Sequence, residues 1–386
     1  ASWIRLGVDP PEGAGWTEFR AWRDSQSAAA PTAVVAPDDE CNIIYSSGTT
    51  GLPKGIVHSH GCRLHWAADV GLALRYHSGA VTVCSVGLYS NIMWASMLAT
   101  LLVGGTLVVM PAYSSKSLLD VIERHRVTHG AFVPVQLQRL LEEDFGGRDL
   151  ASLQALMCCG SPLPLPVKRA IPRRLGCELI ELYGLTEGLV TTLDPEDFER
   201  KIESVGRPIP GQQLRLVGDD DRPVPPGEPG EIVGLGCLTM ERYHNRPDAT
   251  LEATWVDAEG RRWLRTGDIG RFDDEGFLYL VDRKKDLILS GGQNVYPADL
   301  EAVLVQHPAV AEVAVIGVPS ERWGETPLAL VVARGPDPVA ATELRDWANA
   351  RLGKQQRIAE LRFVESLPRN PNGKILKREL RREHQR

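Results

Sequence analysis

Much that would direct this chain to other chemistry is missing from it. Its 43 basic and 50 acidic side chains leave a net charge of −7, so no basic surplus favours nucleic acid or an anionic membrane surface. None of its seven cysteines forms a Cys-x-x-Cys pair. Cys158 and Cys159 are adjacent and the rest are scattered, which suggests neither a disulfide framework nor a zinc site and points to the reducing cytoplasm. The start, Ala1-Ser2-Trp3-Ile4-Arg5, lacks a basic segment followed by an apolar one, so no secretory signal is read there. No Lys, Arg, Asp or Glu occurs between Arg75 and Lys116, yet Gly104-Gly105 interrupts the apolar run of Ile92 to Met110. That stretch reads as a buried helix, a turn and a buried strand, Thr106–Met110, rather than a membrane span. Internal repeats and low-complexity tracts are also absent.

What is present is ordinary in bulk and specific in detail. The 386 residues, 43% apolar and 24% charged, suit two or three packed globular units. Pro10 to Pro37 is rich in Ala, Pro, Gly and Ser and reads as loop. Asn42-Ile43-Ile44-Tyr45 reads as a buried strand. From there to Tyr183, short apolar runs (Val81–Val86, Ala131–Val133, Leu156–Cys159, Glu178–Tyr183) alternate with amphipathic stripes such as Leu118, Leu119 and Ile122. That alternation implies a mostly parallel sheet with helices on both faces. After Gly206, short strands among Pro and Gly turns imply a small antiparallel sheet or barrel. After the charged segment Asp282-Arg283-Lys284-Lys285-Asp286, helices and strands alternate in a compact α+β unit.

The strongest local signal is Ser46-Ser47-Gly48-Thr49-Thr50-Gly51-Leu52-Pro53-Lys54-Gly55. Glycines remove Cβ atoms so that backbone N–H groups can close around phosphate oxygens, hydroxyls add donors, and Lys54 adds positive charge. Pro53 ahead of the lysine and Gly55 after it exclude a Walker A loop.

This string resembles the phosphate loop of the acyl-adenylate-forming superfamily, which includes AMP-forming acyl-CoA synthetases. Five further motifs follow in the family's order, and the resemblance spans about Asp39 to Leu380. Tyr183-Gly184-Leu185-Thr186-Glu187 matches the second motif. The resemblance implies an aromatic ring on adenine, a Thr186 hydroxyl on the α-phosphate and Glu187 as a Mg²⁺ ligand; a hard cation takes carboxylate oxygen. It implies that Gly160-Ser161-Pro162 touches adenine. In Thr266-Gly267-Asp268, Asp268 would accept both ribose hydroxyls, with Arg283 as the second ribose contact. Lys285 aligns with the pivot of a rotating C-terminal domain. Gly291 and Gly292, in Ser290-Gly291-Gly292-Gln293-Asn294, would flank the pantetheine arm of CoA. Lys374, ending Pro368-Arg369-Asn370-Pro371-Asn372-Gly373-Lys374, would stabilise charge on the α-phosphate in the transition state. On the acyl side, His60 and Tyr89 are the implied pocket and gate residues.

The resemblance therefore implies an α/β protein: a large N-terminal domain (residues 1–281) of mostly parallel sheet with helices plus a small antiparallel β subdomain (about 206–281), and a mobile α+β C-terminal domain (282–386) hinged at 282–286. Its activity would be that of an acid–CoA ligase taking a fatty or aromatic acid, ATP, Mg²⁺ and coenzyme A. The alternatives are a domain that loads a carrier protein, or a non-catalytic remnant of the fold. Family members carry a further α/β stretch ahead of the loop at Ser46, so the chain reads as truncated. Exposed apolar surface follows from that reading, as does possible homo-oligomerisation.

Overall fold

The computed structural model describes residues 3–5, 16–30, 32–46, 53–291, 293–335, 339–353, 356–369 and 375–384. The chain divides into two compact units, residues 1–36 and 37–386. In the first, strands β1 (Trp3–Arg5) and β2 (Trp16–Glu18) pair in parallel and helix α1 (Phe19–Asp24) follows, with the Glu18 carboxylate accepting from Ala21 N–H at 2.9 Å.

The second unit begins with a hairpin of β3 (Glu40–Ser46) and β4 (Lys54–Ser59). Of β3 only Ile44 is buried, so the segment expected as a buried strand is an edge strand. Helix α2 (His60–Ala73) starts where Ser59 Oγ accepts from Cys62 N–H at 3.3 Å. Next come β5 (Val81–Cys84), α3 (Asn91–Leu102), β6 (Thr106–Val109), α4 (Ser115–His125), β7 (His129–Phe132), α5 (Pro134–Glu142), β8 (Ala155–Cys158), α6 (Leu165–Leu175), β9 (Glu178–Leu185), β10 (Gly188–Leu193) and β11 (Arg207–Pro208). They form a seven-stranded sheet in the order β11-β10-β9-β8-β7-β5-β6. β6, β5, β7, β8 and β9 run parallel; β10 and β11 are antiparallel additions.

Both faces of this sheet are buried, and the strand period decides which residue goes where. Phe132, Leu156, Cys158 and Leu179 pack under α4, α5 and α6 with Leu118, Leu137 and Ile171. Ala131, Met157, Ile180 and Leu182 face the other way, onto Trp66 and Val70 of α2 and Ala95 of α3. The apolar run at Ile92 to Met110 is a helix, turn and strand as expected, but β6 is an edge strand with Val109 61% exposed. Exposed apolar side chains also stand on α2 (Leu64, Leu72) and α3 (Leu101, Leu102). Among the described residues, no helix is long and apolar enough to cross a membrane.

The small antiparallel sheet consists of β12 (Gln212–Val217), β13 (Gly230–Gly236), β15 (Thr254–Val256), β16 (Arg262–Phe272) and β17 (Leu278–Arg283). Between them, β14 (Arg242–Tyr243) pairs with β4, and α7 (Pro247–Glu252) follows it. A single 3₁₀ turn at Lys284–Asp286 leads into β18 (Ile288–Ser290), β19 (Gln293–Val295), α8 (Pro297–Leu304), β20 (Val310–Ser320), β21 (Gly324–Ala333), α9 (Ala341–Asn349), β22 (Glu360–Phe363) and α10 (Lys377–His384). Here α8 and α9 cover one sheet face through Leu300, Leu304 and Leu344, while Leu380 of α10 covers the other.

Candidate active site

A cleft of about 590 Å³ opens where the ends of β8 and β9, the start of α3, the β3–β4 hairpin, β14 and the β16–β17 pair converge. Ser46, Lys54, Gly160, Gly184, Thr186, Glu187, Arg283 and Lys285 line it, drawn from widely separated stretches of sequence.

Each side chain is placed by local structure. Ser46 and Lys54 face each other across the β3–β4 ladder, and both line the cleft. Thr186 and Glu187 form the tight turn joining β9 to β10. Gly188 closes that turn at φ +126°, and a Cβ there would lie 2.6 Å from Thr239 Cα and 2.7 Å from Leu238 O, so only glycine fits. The Glu187 carboxylate accepts from Tyr243 Oη at 2.8 Å, and Lys54 Nζ stands 4.6 Å over the Tyr243 ring. Burial and the neighbouring Glu187 charge push the Tyr243 hydroxyl up, so it stays a donor. Tyr243 has no local sequence signal; only the pairing of β14 with β4 brings it here.

Asp268 and Arg283 are cross-strand partners on β16 and β17. Arg283 Nε lies 3.1 Å from one Asp268 oxygen, and Tyr183 Oη donates to the other at 2.9 Å. Burial, then the Asp268 charge, holds the Tyr183 hydroxyl well above its ordinary range. Asp268 and Tyr183 sit just behind the lining residues. Nearby, Arg265 and Lys284 share the buried Glu231 carboxylate at 2.7 and 3.1 Å. Lys285 lines the cleft with an exposed side chain, and the desolvation it meets there lowers its pKa. At the same junction Asp282 Oδ2 accepts from Ala298 N–H at 2.9 Å, capping α8, and Arg381 pairs with Asp286 at 2.9 Å.

The remaining expected residues fall elsewhere. His60 is exposed because the buried stripe of α2 runs through Cys62, Trp66 and Val70. Tyr89 is 71% exposed in the loop before α3, its ring folded over Gly87, whereas Ser90 and Asn91 line the cleft. Ser161 and Pro162 are off the lining surface. Gly291 adopts φ +60° and packs under Trp323, where a Cβ would meet the ring at 2.9 Å. Ser47, Gly48, Thr49, Thr50, Gly51, Gly292 and Lys374 lie outside the described residues.

Among the described residues no group of three or more His, Cys, Asp or Glu side chains forms a metal cage. The Glu187 carboxylate, next to Thr186 on the cleft lining, suits a magnesium ion carried mainly by phosphate oxygens.

The β3–β4 hairpin, a Thr-Glu turn and an Asp–Arg pair meet at one cleft, the arrangement of an adenylate-forming type of site. The AMP-binding enzyme profile matches residues 5–244, and the AMP-binding enzyme C-terminal domain profile matches residues 299–374. The chain belongs to the AMP-binding enzyme family. It is 35% identical to the long-chain-fatty-acid–CoA ligase FadD13 of Mycobacterium tuberculosis (strain ATCC 25618 / H37Rv), over 99% of this chain and 76% of that one. It is 37% identical to the 2-succinylbenzoate–CoA ligase of Geobacillus kaustophilus, over 92% of this chain and 73% of that one. Its fold is similar to that of the o-succinylbenzoate CoA synthetase (MenE) of Bacillus subtilis, solved with the acyl-adenylate OSB-AMP: TM-score 0.83, 33% identity, 95% of this chain and 74% of that one. The same synthetase is also known in complex with ATP and a magnesium ion.

Proposed function

We propose that this protein is an AMP-forming acid–CoA ligase that activates an aliphatic or aromatic carboxylic acid. The observation that carries the reading is the convergence of Lys54, Thr186, Glu187 and Arg283 on one cleft, with Asp268 paired to Arg283 just behind it. In the first half-reaction a carboxylate oxygen attacks the α-phosphorus of ATP and pyrophosphate leaves. In the second, the CoA thiolate attacks the acyl carbonyl and AMP leaves.

The residue roles follow from what each group offers. The loop ahead of Lys54 receives phosphates, and Thr186 donates to the α-phosphate. Bound magnesium, held in part by Glu187, would offset phosphate charge. Asp268 accepts from the ribose hydroxyls, with Arg283 beside it; Tyr183 and the Gly160 backbone frame the adenine. Lys374 stabilises the crowded phosphorus as charge builds. The C-terminal part, 282–386, turns about Lys285 between the half-reactions; the exposed Lys285 at the junction of β17 and the Asp282-capped α8 supports this. Seven unpaired thiols suit a cytoplasmic location.

A panel of acids incubated with ATP and magnesium, with and without CoA, tests the reading by AMP and thioester release. The expected result is AMP with at least one acid and thioester only when CoA is added. Lys374→Ala should lower adenylate formation about 100- to 1,000-fold. No pyrophosphate exchange with any acid defeats the ligase reading; AMP without thioester redirects it to a carrier-protein acceptor.

A further inference from the structure

Behind the α2–α3 wall of the cleft lies a buried cation without a counter-ion. Arg63 is 4% exposed. Its guanidinium donates to Asn42 Oδ1 at 2.8 Å, Asn91 Oδ1 at 2.8 Å and His58 Nδ1 at 3.1 Å. It also stands 5.6 Å from the Trp66 ring and 5.1 Å from the Trp94 ring. Each acceptor is neutral. Burial, with the Arg63 charge added, pushes His58 down to about 3, so the imidazole carries no charge at neutral pH. No carboxylate pairs with Arg63 among the described residues, and burial lowers its own pKa only to about 10, which leaves it charged.

The arginine dictates what the cleft sees. A guanidinium only donates, so the Asn91 carbonyl oxygen must face Arg63. The amide nitrogen then points away, and Asn91 lines the cleft. Asn91 Nδ2 has no acceptor among the described residues, yet it is not sealed from solvent. Beside it, Ser90 also lines the cleft, and its hydroxyl makes no capping bond to α3. The wall thus offers two adjacent donors backed by an unneutralised charge, set among Trp66, Ile92, Ala95 and Met157. An acid with a purely apolar tail would strip water from these donors and give them nothing in return. An anionic oxygen group would satisfy them and compensate Arg63 in a low-dielectric setting.

We propose that this wall recognises a second carboxylate on the acid being activated: the Asn91 amide, oriented by Arg63, and the Ser90 hydroxyl donate to it, and Arg63 supplies the compensating charge. The substrate class is then a dicarboxylic acid whose distal carboxylate reaches the start of α3. This deepens the ligase reading and rests on it.

The test measures ATP–pyrophosphate exchange by the full chain with matched acids: hexanoate against hexanedioate, and 4-phenylbutanoate against 4-(2-carboxyphenyl)butanoate. In at least one pair the diacid should exceed the monoacid in kcat/KM by about 100-fold, mainly through KM. Arg63→Met should collapse that ratio towards unity. Asn91→Asp, nearly isosteric, sets a carboxylate of the protein against Arg63; it should collapse the ratio too, and it stands in if Arg63→Met fails to fold. A wild-type protein that turns over monoacids as well as or better than diacids overturns the proposal while leaving the ligase reading intact. So does an Asn91→Asp protein with an unchanged ratio. If no acid supports exchange, the ligase reading falls and this proposal falls with it.

Discussion

Along the β16–β17 wall of the cleft, charges come in opposed sets: Arg283 with Asp268, and Arg265 and Lys284 with Glu231. Across from it, on the α2–α3 wall, Arg63 meets only amides, an imidazole and indole rings. A second buried cation shows what a purely structural arrangement looks like here. Lys168 of α6 pairs directly with Glu181 of β9 and donates to Ile202 O at 2.7 Å, tying helix to sheet away from the cleft lining. The contrast teaches that this fold does neutralise buried charge where only architecture is at stake. A buried charge left with neutral partners beside a cleft leaves room for a ligand's charge.

The comparison can be broken first through pH. His58 of β4, which accepts from Arg63, and His129 at the start of β7 are both buried, and burial is the main cause of their depression, to about 3 and about 4. In the unfolded chain each binds a proton near pH 6.5, so between about pH 6.5 and 4 the unfolded state holds more protons than the folded one. Stability therefore falls on acidification, by about 1.4 kcal/mol per pH unit for each histidine, about 2 to 3 kcal/mol over two units. Denaturant titrations at a series of pH values should show this, with a shallower acid slope in His129→Gln. An unaltered slope in that variant would show that His129 titrates normally in the folded protein.

The opposed charges of the β16–β17 wall are probed by Asp268→Asn. It keeps an acceptor for Tyr183 but removes the charge facing Arg283 and the second ribose acceptor. KM for ATP should rise about 10- to 100-fold, the range for losing a charged hydrogen-bond partner. A KM within twofold of wild type (about 0.4 kcal/mol) would separate this pair from nucleotide binding.

The smallest expected effect sharpens the comparison where a neutral hydroxyl meets a carboxylate. Tyr243→Phe keeps the ring under Lys54 and loses the bond to Glu187. The magnesium concentration for half-maximal adenylation should rise about tenfold, with little change at saturating metal. A lower plateau with an unshifted midpoint would mean that Tyr243 does not act through the metal.

Much of the site was legible because its chemistry is carried by contiguous strings. A phosphate loop needs several glycines and hydroxyls in succession, and a Thr-Glu turn needs its glycines on both sides, so those functions print themselves locally. The alternation of strands and stripes from Val81 to Tyr183 was equally readable, because period-2 and helical burial patterns are local properties. The β3–β4 hairpin was harder. Asn42 to Tyr45 looks like a core strand, yet its neighbours are β4 and solvent.

Local order and family were thus settled by the amino-acid order, since backbone sterics, burial period and loop chemistry act over a few residues at a time. Which side chains share the cleft was decided only by packing. Tyr243 reaches Glu187, 56 positions away, through the pairing of β14 with β4, and Asn91 of α3 reaches Arg63 of α2, 28 positions away. The same packing turned His60 and Tyr89 outward and set Ser90 and Asn91 in the wall. Hydrogen bonds and charge compensation depend on distance in space, and no stretch of sequence encodes that distance by itself.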